Sequence, residues 1–265
     1  MRHTRYDDVK QIIQADIPVL LTGVAGIGKT TMLKMIAEEI GTRFFAMSMT
    51  KQTTLGHIIG FVSVTGDYIP TQFRDCFENG GMFLLDEMDA ADPNTILCLN
   101  TIENGFLAFP DRVVQKHPDF RLCATANPQN EHNRYTGRNK LDLATMDRFF
   151  VFDLDHTQDL EEFLTTKEIA EMAIYIREQF KRNGITKDFT MRDAIRLHKL
   201  SGILGYEETL NQLLKVDIKL KEELVKYIVE NYGPMMEFDT IQTSDDLMKY
   251  CEEQKRIFEK EVKKK

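Results

Sequence analysis

The chain has 265 residues, 42% hydrophobic and 29% charged, which is enough apolar material for one large domain or for a medium domain plus a small one. Asp and Glu outnumber Lys and Arg by 42 to 34, a formal net charge of −8, and this argues against non-specific DNA binding, which needs clustered cations. The N-terminal residues lack the apolar run of a signal peptide, no stretch approaches the roughly 20 apolar residues of a membrane span, and the cysteines form no CxxC pair; the expectation is a soluble protein of the reducing cytoplasm.

Pro18-Val19-Leu20-Leu21-Thr22 reads as a buried strand. It runs into a glycine-rich loop and then a helix over 29–40. Further apolar strands are expected at 43–48, 82–86, 120–125 and 149–154. Near-continuous apolar strands separated by helices predict a five-stranded parallel sheet covered on both faces. From about Asp155 the strand signals stop, and 158–183, 190–204, 216–232 and 244–263 carry helical periodicity. Gly184, Gly205 and Gly233-Pro234 punctuate these helices. The division expected is an α/β domain over 1–155 and a smaller helical domain over 156–265, with a Lys-rich tail at 260–265.

The loop Gly23-Val24-Ala25-Gly26-Ile27-Gly28-Lys29-Thr30 fits G-x-x-x-x-G-K-[ST], the Walker A pattern, at every fixed position. It follows a strand and opens a helix, the context the motif requires. Glycines let the backbone curl so that successive N–H groups face phosphate oxygens, and the helix adds its positive N-terminal end. Lys29 is then expected to reach the β- and γ-phosphates of ATP, and the Thr30 hydroxyl to ligate Mg²⁺; Thr31 completes the nucleotide-binding stretch. The strand 82–86 ends in Asp86-Glu87, where an α/β sheet puts its ligand site. Asp86 would hold Mg²⁺ or its water shell, and Glu87 would polarise the attacking water, as the Walker B pair.

The phosphate loop, the Asp86-Glu87 strand and Ala124-Thr125-Ala126-Asn127-Pro128 resemble the AAA+ ATPases. More narrowly, they resemble the branch of MoxR-type, dynein-related and cobaltochelatase small-subunit ATPases. The stretches Glu103-Asn104-Gly105-Phe106-Leu107, Tyr135-Thr136-Gly137 and Leu141-Asp142-Leu143-Ala144-Thr145-Met146-Asp147-Arg148-Phe149 are similar to that branch too. The likeness covers roughly residues 15–200 and is strongest before Phe149. It implies a P-loop NTPase sheet domain followed by a helical lid. It also implies that Asn127 is the sensor for the γ-phosphate or the lytic water. By the same likeness Arg148 is an arginine finger acting in the neighbouring subunit, and Arg192 is the lid's second sensor. Arg134 and Arg138 are read either as a second trans-acting arginine or as solvated loop cations.

Residues 53–66 occupy the place where this branch often inserts a hairpin, and read as a short helix plus a loop or as a plain connection. Residues 106–109 and 113–114 resemble the hairpin that precedes the sensor, with a turn at Pro110-Asp111-Arg112. Arg5, Tyr6 and Ile12 are adenine candidates by position alone, and no aromatic-glycine pore motif of the unfoldase type is visible. The six histidines form no metal-ligand spacing and read as surface or loop residues.

Three functions compete. The first is a ring-forming, hexameric ATP hydrolase that remodels a partner protein, either a client or a von Willebrand factor A-domain protein on a separate chain. The second is a nucleic-acid motor or restriction-type subunit resembling McrB. The third is a nucleotide switch without turnover, against which the Asp86-Glu87 pair argues.

Overall fold

The computed structural model describes residues 2–127, 139, 141 and 143–236. Helix α1 (Tyr6–Gln14) leads to β1 (Val19–Thr22), and α2 (Lys29–Glu39) to β2 (Phe44–Ser48). A short α3 (Leu55–Ile59), an antiparallel pair of β3 (Phe61–Val62) and β4 (Tyr68–Ile69), and α4 (Gln72–Asn79) precede β5 (Gly81–Asp86). Then come α5 (Pro93–Ile96), a 3₁₀ stretch Leu97–Asn104 and a second hairpin of β6 (Phe106–Ala108) and β7 (Val113–Gln115). Strand β8 (Phe120–Ala126), helix α6 (Leu143–Asp147) and strand β9 (Phe150–Asp153) complete the sheet region. The described residues end in α7 (Gln158–Leu164), α8 (Lys167–Arg182), α9 (Met191–Leu204), α10 (Tyr206–Leu213) and α11 (Ile218–Met236).

The sheet has five parallel strands in the order β2-β5-β8-β1-β9. The central strands β5, β8 and β1 are buried along most of their length because both faces are covered, and successive side chains are dealt to opposite cores. Phe83 and Leu85 of β5 join Phe73, Phe77 and Phe120 on one face, while Met82 and Leu84 join Leu33 and Ile36 on the other. On the first face the Phe73 ring meets Phe83 edge-on at 5.0 Å and Phe120 at 5.9 Å. Such aromatic pairs add about 0.5–1.5 kcal/mol beyond their burial, so truncating Phe73 would cost about 3–5 kcal/mol.

The C-terminal helices have a core of their own, built from Ile169, Met172, Ile176 and Phe180 of α8 with Leu197, Leu210 and Ile228. The continuous helix expected over 158–183 is broken into α7 and α8. Thr165 leaves helical conformation (φ −134, ψ −118), and the Thr166 hydroxyl caps α8 by accepting from the Ile169 N–H at 3.3 Å. Helix α10 was not anticipated, because its eight residues are too few to establish a period. Within 53–66 the expected short helix is α3, and the segment after it holds one two-residue strand, Phe61–Val62, paired with Ile69 and Tyr68, before a turn at 64–65. The helix expected at 244–263 and the tail lie outside the described residues. Among the described residues, no helix is long and apolar enough to cross a membrane.

Candidate active site

Strand register assembles the site. Leu85 pairs with Ala124 and Thr22 with Ala126, so Asp86 draws level with Thr125, and Asn127 with the first loop glycine. Residues far apart in sequence thus meet at the carboxyl edge of the sheet, the crevice where open α/β sheets bind ligands.

The loop of residues 23–30 leaves β1 in the middle of this edge. Ile27 is buried in the core beneath it and anchors the curl, while Gly28 ends it in left-handed conformation (φ 97) as the cap of α2. A side chain at Gly23 (φ 146) would stand 2.6 Å from the Leu154 carbonyl oxygen, so the loop can turn there only without one. Lys29, only 9% exposed, donates to the carbonyls of Gly23 and Val24 at 2.5 and 3.1 Å and to the Asn127 side-chain oxygen at 3.1 Å. A buried ammonium surrounded by exchangeable oxygen acceptors is poised to trade one of them for a phosphate oxygen.

The Thr30 hydroxyl lies 3.0 and 3.1 Å from the two Asp86 oxygens. Hydroxyl and carboxylate form the hard oxygen set that suits Mg²⁺. Glu87 follows in left-handed backbone (φ 59, ψ 43), a conformation unusual for a non-glycine residue and concentrated at functional sites. Its N–H donates to the Thr125 hydroxyl at 2.9 Å, and that hydroxyl donates to Asp86 at 2.5 Å. Sequence reasoning passed over Thr125. The available signal was a hydroxyl two residues before Asn127, hence on the same strand face.

The helical region reaches the loop directly. Gly26 (φ 83) packs so closely on α9 that an added side chain would stand 3.2 Å from the Cβ atoms of both Thr190 and Arg192. Thr190 caps α9 by accepting from the Asp193 N–H at 3.1 Å, while the Asp193 carboxylate accepts from Thr190 in return. Asp193 also faces Arg196, and Asp188 is bonded to His156, so the two acids nearest Arg192 in sequence are engaged elsewhere. Arg192 itself is exposed beside the phosphate loop.

Arg148 is not brought to this site. Phe150 pairs with Val19, the first residue of β1, so Arg148 stands beyond the opposite edge of the sheet, with the four residues of β1, roughly 13 Å of strand, between it and the loop. There it donates to the Ala144 carbonyl and lies 3.9 Å from Glu103. It lines a cavity of about 240 Å³ together with Ile96, Leu99, Ile102 and Glu103. Arg134 and Arg138 lie outside the described residues, as do His132 and Pro128.

One expectation needs correction. Tyr6 does not present itself to a ligand: it is buried in the sheet core and donates to Glu39 at 2.9 Å. Burial and that bond push its hydroxyl up to about 12. Arg5 pairs with Asp8, and Ile12 packs against the same core as Tyr6. The histidines His3 and His156 are loop residues that do not lie exposed at the surface. His3 is buried, with its Nε2 3.0 Å from the Asp155 carbonyl oxygen. His156 sits in a charged cluster, 2.6 Å from Asp188 and 3.4 Å from the fully buried Glu161, which in turn is gripped by Arg177. Burial opposes a charge on His156, but its bonds to Asp188 and Glu161 outweigh this and raise its pKa. Cys76 and Cys123 are core residues whose thiols burial raises, Cys76 to about 12, so neither is a reactive thiolate.

The model of the AAA domain (dynein-related subfamily) matches residues 18–149, about half of the chain and the stretch that holds the loop, the acidic pair and Asn127. Midasin of Dictyostelium discoideum is 27% identical over 261 residues, covering 86% of this chain and 4% of that protein. Midasin of Giardia intestinalis is 29% identical over 173 residues, 60% of this chain and 4% of its own. The aerobic cobaltochelatase subunit CobS of Sinorhizobium sp is 25% identical over 147 residues, 50% of this chain and 44% of that subunit. The chain therefore spans a small part of the midasins and less than half of the cobaltochelatase subunit.

Proposed function

The chain belongs to the dynein-related branch of the AAA+ ATPases, and we propose that it binds ATP with Mg²⁺, hydrolyses it, and works as a homo-oligomeric, hexameric ring that remodels a partner protein. What carries the reading is the convergence of Lys29, Thr30, Asp86 and Asn127 on one strand edge beside the loop of residues 23–30. In this reading Gly23, Val24, Ala25, Gly26, Ile27, Gly28, Lys29, Thr30 and Thr31 hold the triphosphate. Thr30 and Asp86 would hold Mg²⁺, which when bound neutralises charge on the β- and γ-phosphates. Glu87 takes up the proton side of the attacking water, and Asn127 orients that water without competing for its proton. Arg192, carried on α9 against the loop, senses the γ-phosphate from the lid over 156–265, so that hydrolysis moves the helical region against the sheet domain over 1–155.

Arg148 is the finger donated to the next subunit. Its distance from its own loop supports this role, since a cation on the far edge can serve only a neighbour's phosphates. Partner contact falls to the two hairpins. Phe61, Val62 and Val64 are exposed on the first, Phe106 and Val113 on the second. A protein client or a von Willebrand factor A-domain protein fits this reading better than nucleic acid, given the acidic charge. The setting is the cytoplasm.

Multiple-turnover phosphate release tests the proposal. The wild type should turn over ATP at a rate per subunit that climbs with protein concentration as rings assemble. Glu87→Gln should bind ATP and release phosphate about 10²–10⁴-fold more slowly. A rate per subunit independent of concentration would remove the ring, and salt-dependent stimulation by DNA would favour the McrB-like alternative.

A further inference from the structure

The hydroxyl of Thr125 stands between the two acidic residues of the site. Thr125 is fully buried on β8, and its hydroxyl donates to Asp86 Oδ1 at 2.5 Å while accepting from the Glu87 N–H at 2.9 Å. The directions are forced: a backbone N–H can only donate and a carboxylate oxygen can only accept, so the hydroxyl must face both ways at once. The short bond to Asp86 has the length of a charge-assisted O–H···O⁻ contact and fixes the rotamer of that carboxylate, which also accepts from Thr30. The bond from Glu87 fastens a non-glycine residue in left-handed backbone, from which its side chain departs in a direction no extended strand residue would give.

We infer that Thr125 is a positioning residue for ATP hydrolysis, its hydroxyl setting the directions of Asp86 and Glu87 together. The inference rests on the reading of Glu87 as the water-polarising group. Two residues along the same strand, Asn127 accepts from Lys29, so β8 braces both the acidic pair and the phosphate-binding lysine. Thr is suited to the task, because β-branching leaves it few rotamers and its methyl group fills space in the core.

Thr125→Val keeps the shape and removes the hydroxyl, and Thr125→Ser keeps the hydroxyl. The expected result is a fall in kcat of about 10- to 100-fold for Thr125→Val, the scale of misplacing a catalytic group by about 1 Å. ATP KM and the Kd for a fluorescent ATP analogue should stay within about threefold of wild type, because the loop is untouched, and Thr125→Ser should recover most of the kcat. Amide hydrogen exchange supplies a readout that needs no turnover. The Glu87 amide should be protected in wild type and in Thr125→Ser and exchange at least about tenfold faster in Thr125→Val. Wild-type kcat in Thr125→Val, a loss of ATP affinity in step with kcat, or unchanged Glu87 exchange would each overturn the inference. Should Thr125→Val lose its cooperative melting transition, Thr125→Ala against Thr125→Ser makes the same comparison. A wild type that binds ATP without turnover would overturn hydrolysis itself, and the Glu87 exchange would then decide alone whether Thr125 holds that backbone.

Discussion

The two edges of the sheet are built differently. At the carboxyl edge the polar groups are tied to one another: Lys29 to Asn127, Thr30 to Asp86, Asp86 to Thr125, and Thr125 to Glu87. At the amino edge Arg148 is folded back on the Ala144 carbonyl of the preceding helix, with Glu103 at the outer limit of ion-pair distance. One edge is a preorganised pocket whose groups hold each other in place at little further entropic cost. The other carries a planar cation on one backbone carbonyl and one long ion pair, and a partly exposed pair of that kind is worth about 0–1 kcal/mol. In the proposed reading the preorganised edge receives the ligand, and the cation of the other edge is the one donated to a neighbour.

The largest expected effect attacks that contrast directly. Arg148→Ala should lower turnover by about 10³-fold or more while leaving ATP affinity near wild type, if the finger acts as trans-acting arginines do elsewhere. Mixing silent Arg148→Ala subunits with silent Lys29→Ala subunits should restore turnover, because each supplies the edge that the other lacks. Activity absent from the mixture would put both edges in one subunit and end the comparison. Lys29→Ala comes next: calorimetry should show ATP affinity reduced by about 100-fold, the scale of losing one partner of a buried charge contact. Equal affinity would remove the pocket itself. Arg192→Ala should lower kcat by roughly tenfold, a typical coupling between two elements, with the effect vanishing for ADP binding. The smallest effect concerns His156, in the connection between β9 and α7. Protonated His156 is favoured in the fold, so its contribution to stability is complete below about pH 6.5, the ordinary histidine value, and is lost as pH rises through the raised folded value. Melting temperature should therefore fall as pH rises from about 6.5 through that raised value, and His156→Gln should flatten the slope. Glu161, held low although burial opposes it because His156 and Arg177 bond to it, acts at the other end, losing its contribution only under acid.

How far the sequence could be read differs between elements for physical reasons. The five strands were legible to within about one residue at each end because burial on both faces demands unbroken apolar runs. The helix opened by Lys29 and the break near Asp155 were legible for the same kind of reason, a change of period. The hairpin of β3 and β4 was not, since two-residue strands carry no alternation to detect. Of the adenine candidates Tyr6 turned inward, because position before the first strand says nothing about orientation. His156 read as a surface or loop residue, and only folding set it against Asp188 and Glu161, with Arg177 bonded to the latter.

Local order alone determined the phosphate loop, the pairing of Asp86 with Glu87 and the division between strands and helices, since each depends on neighbours within a few residues. The tertiary structure decided the rest. Parallel register brought Thr125 level with Asp86, the packing of α9 laid Thr190 and Arg192 against Gly26, and the direction of β9 sent Arg148 to the far edge. These are contacts between segments separated by dozens of residues, and their geometry is set by how the strands pair and how the cores close, which no local pattern encodes.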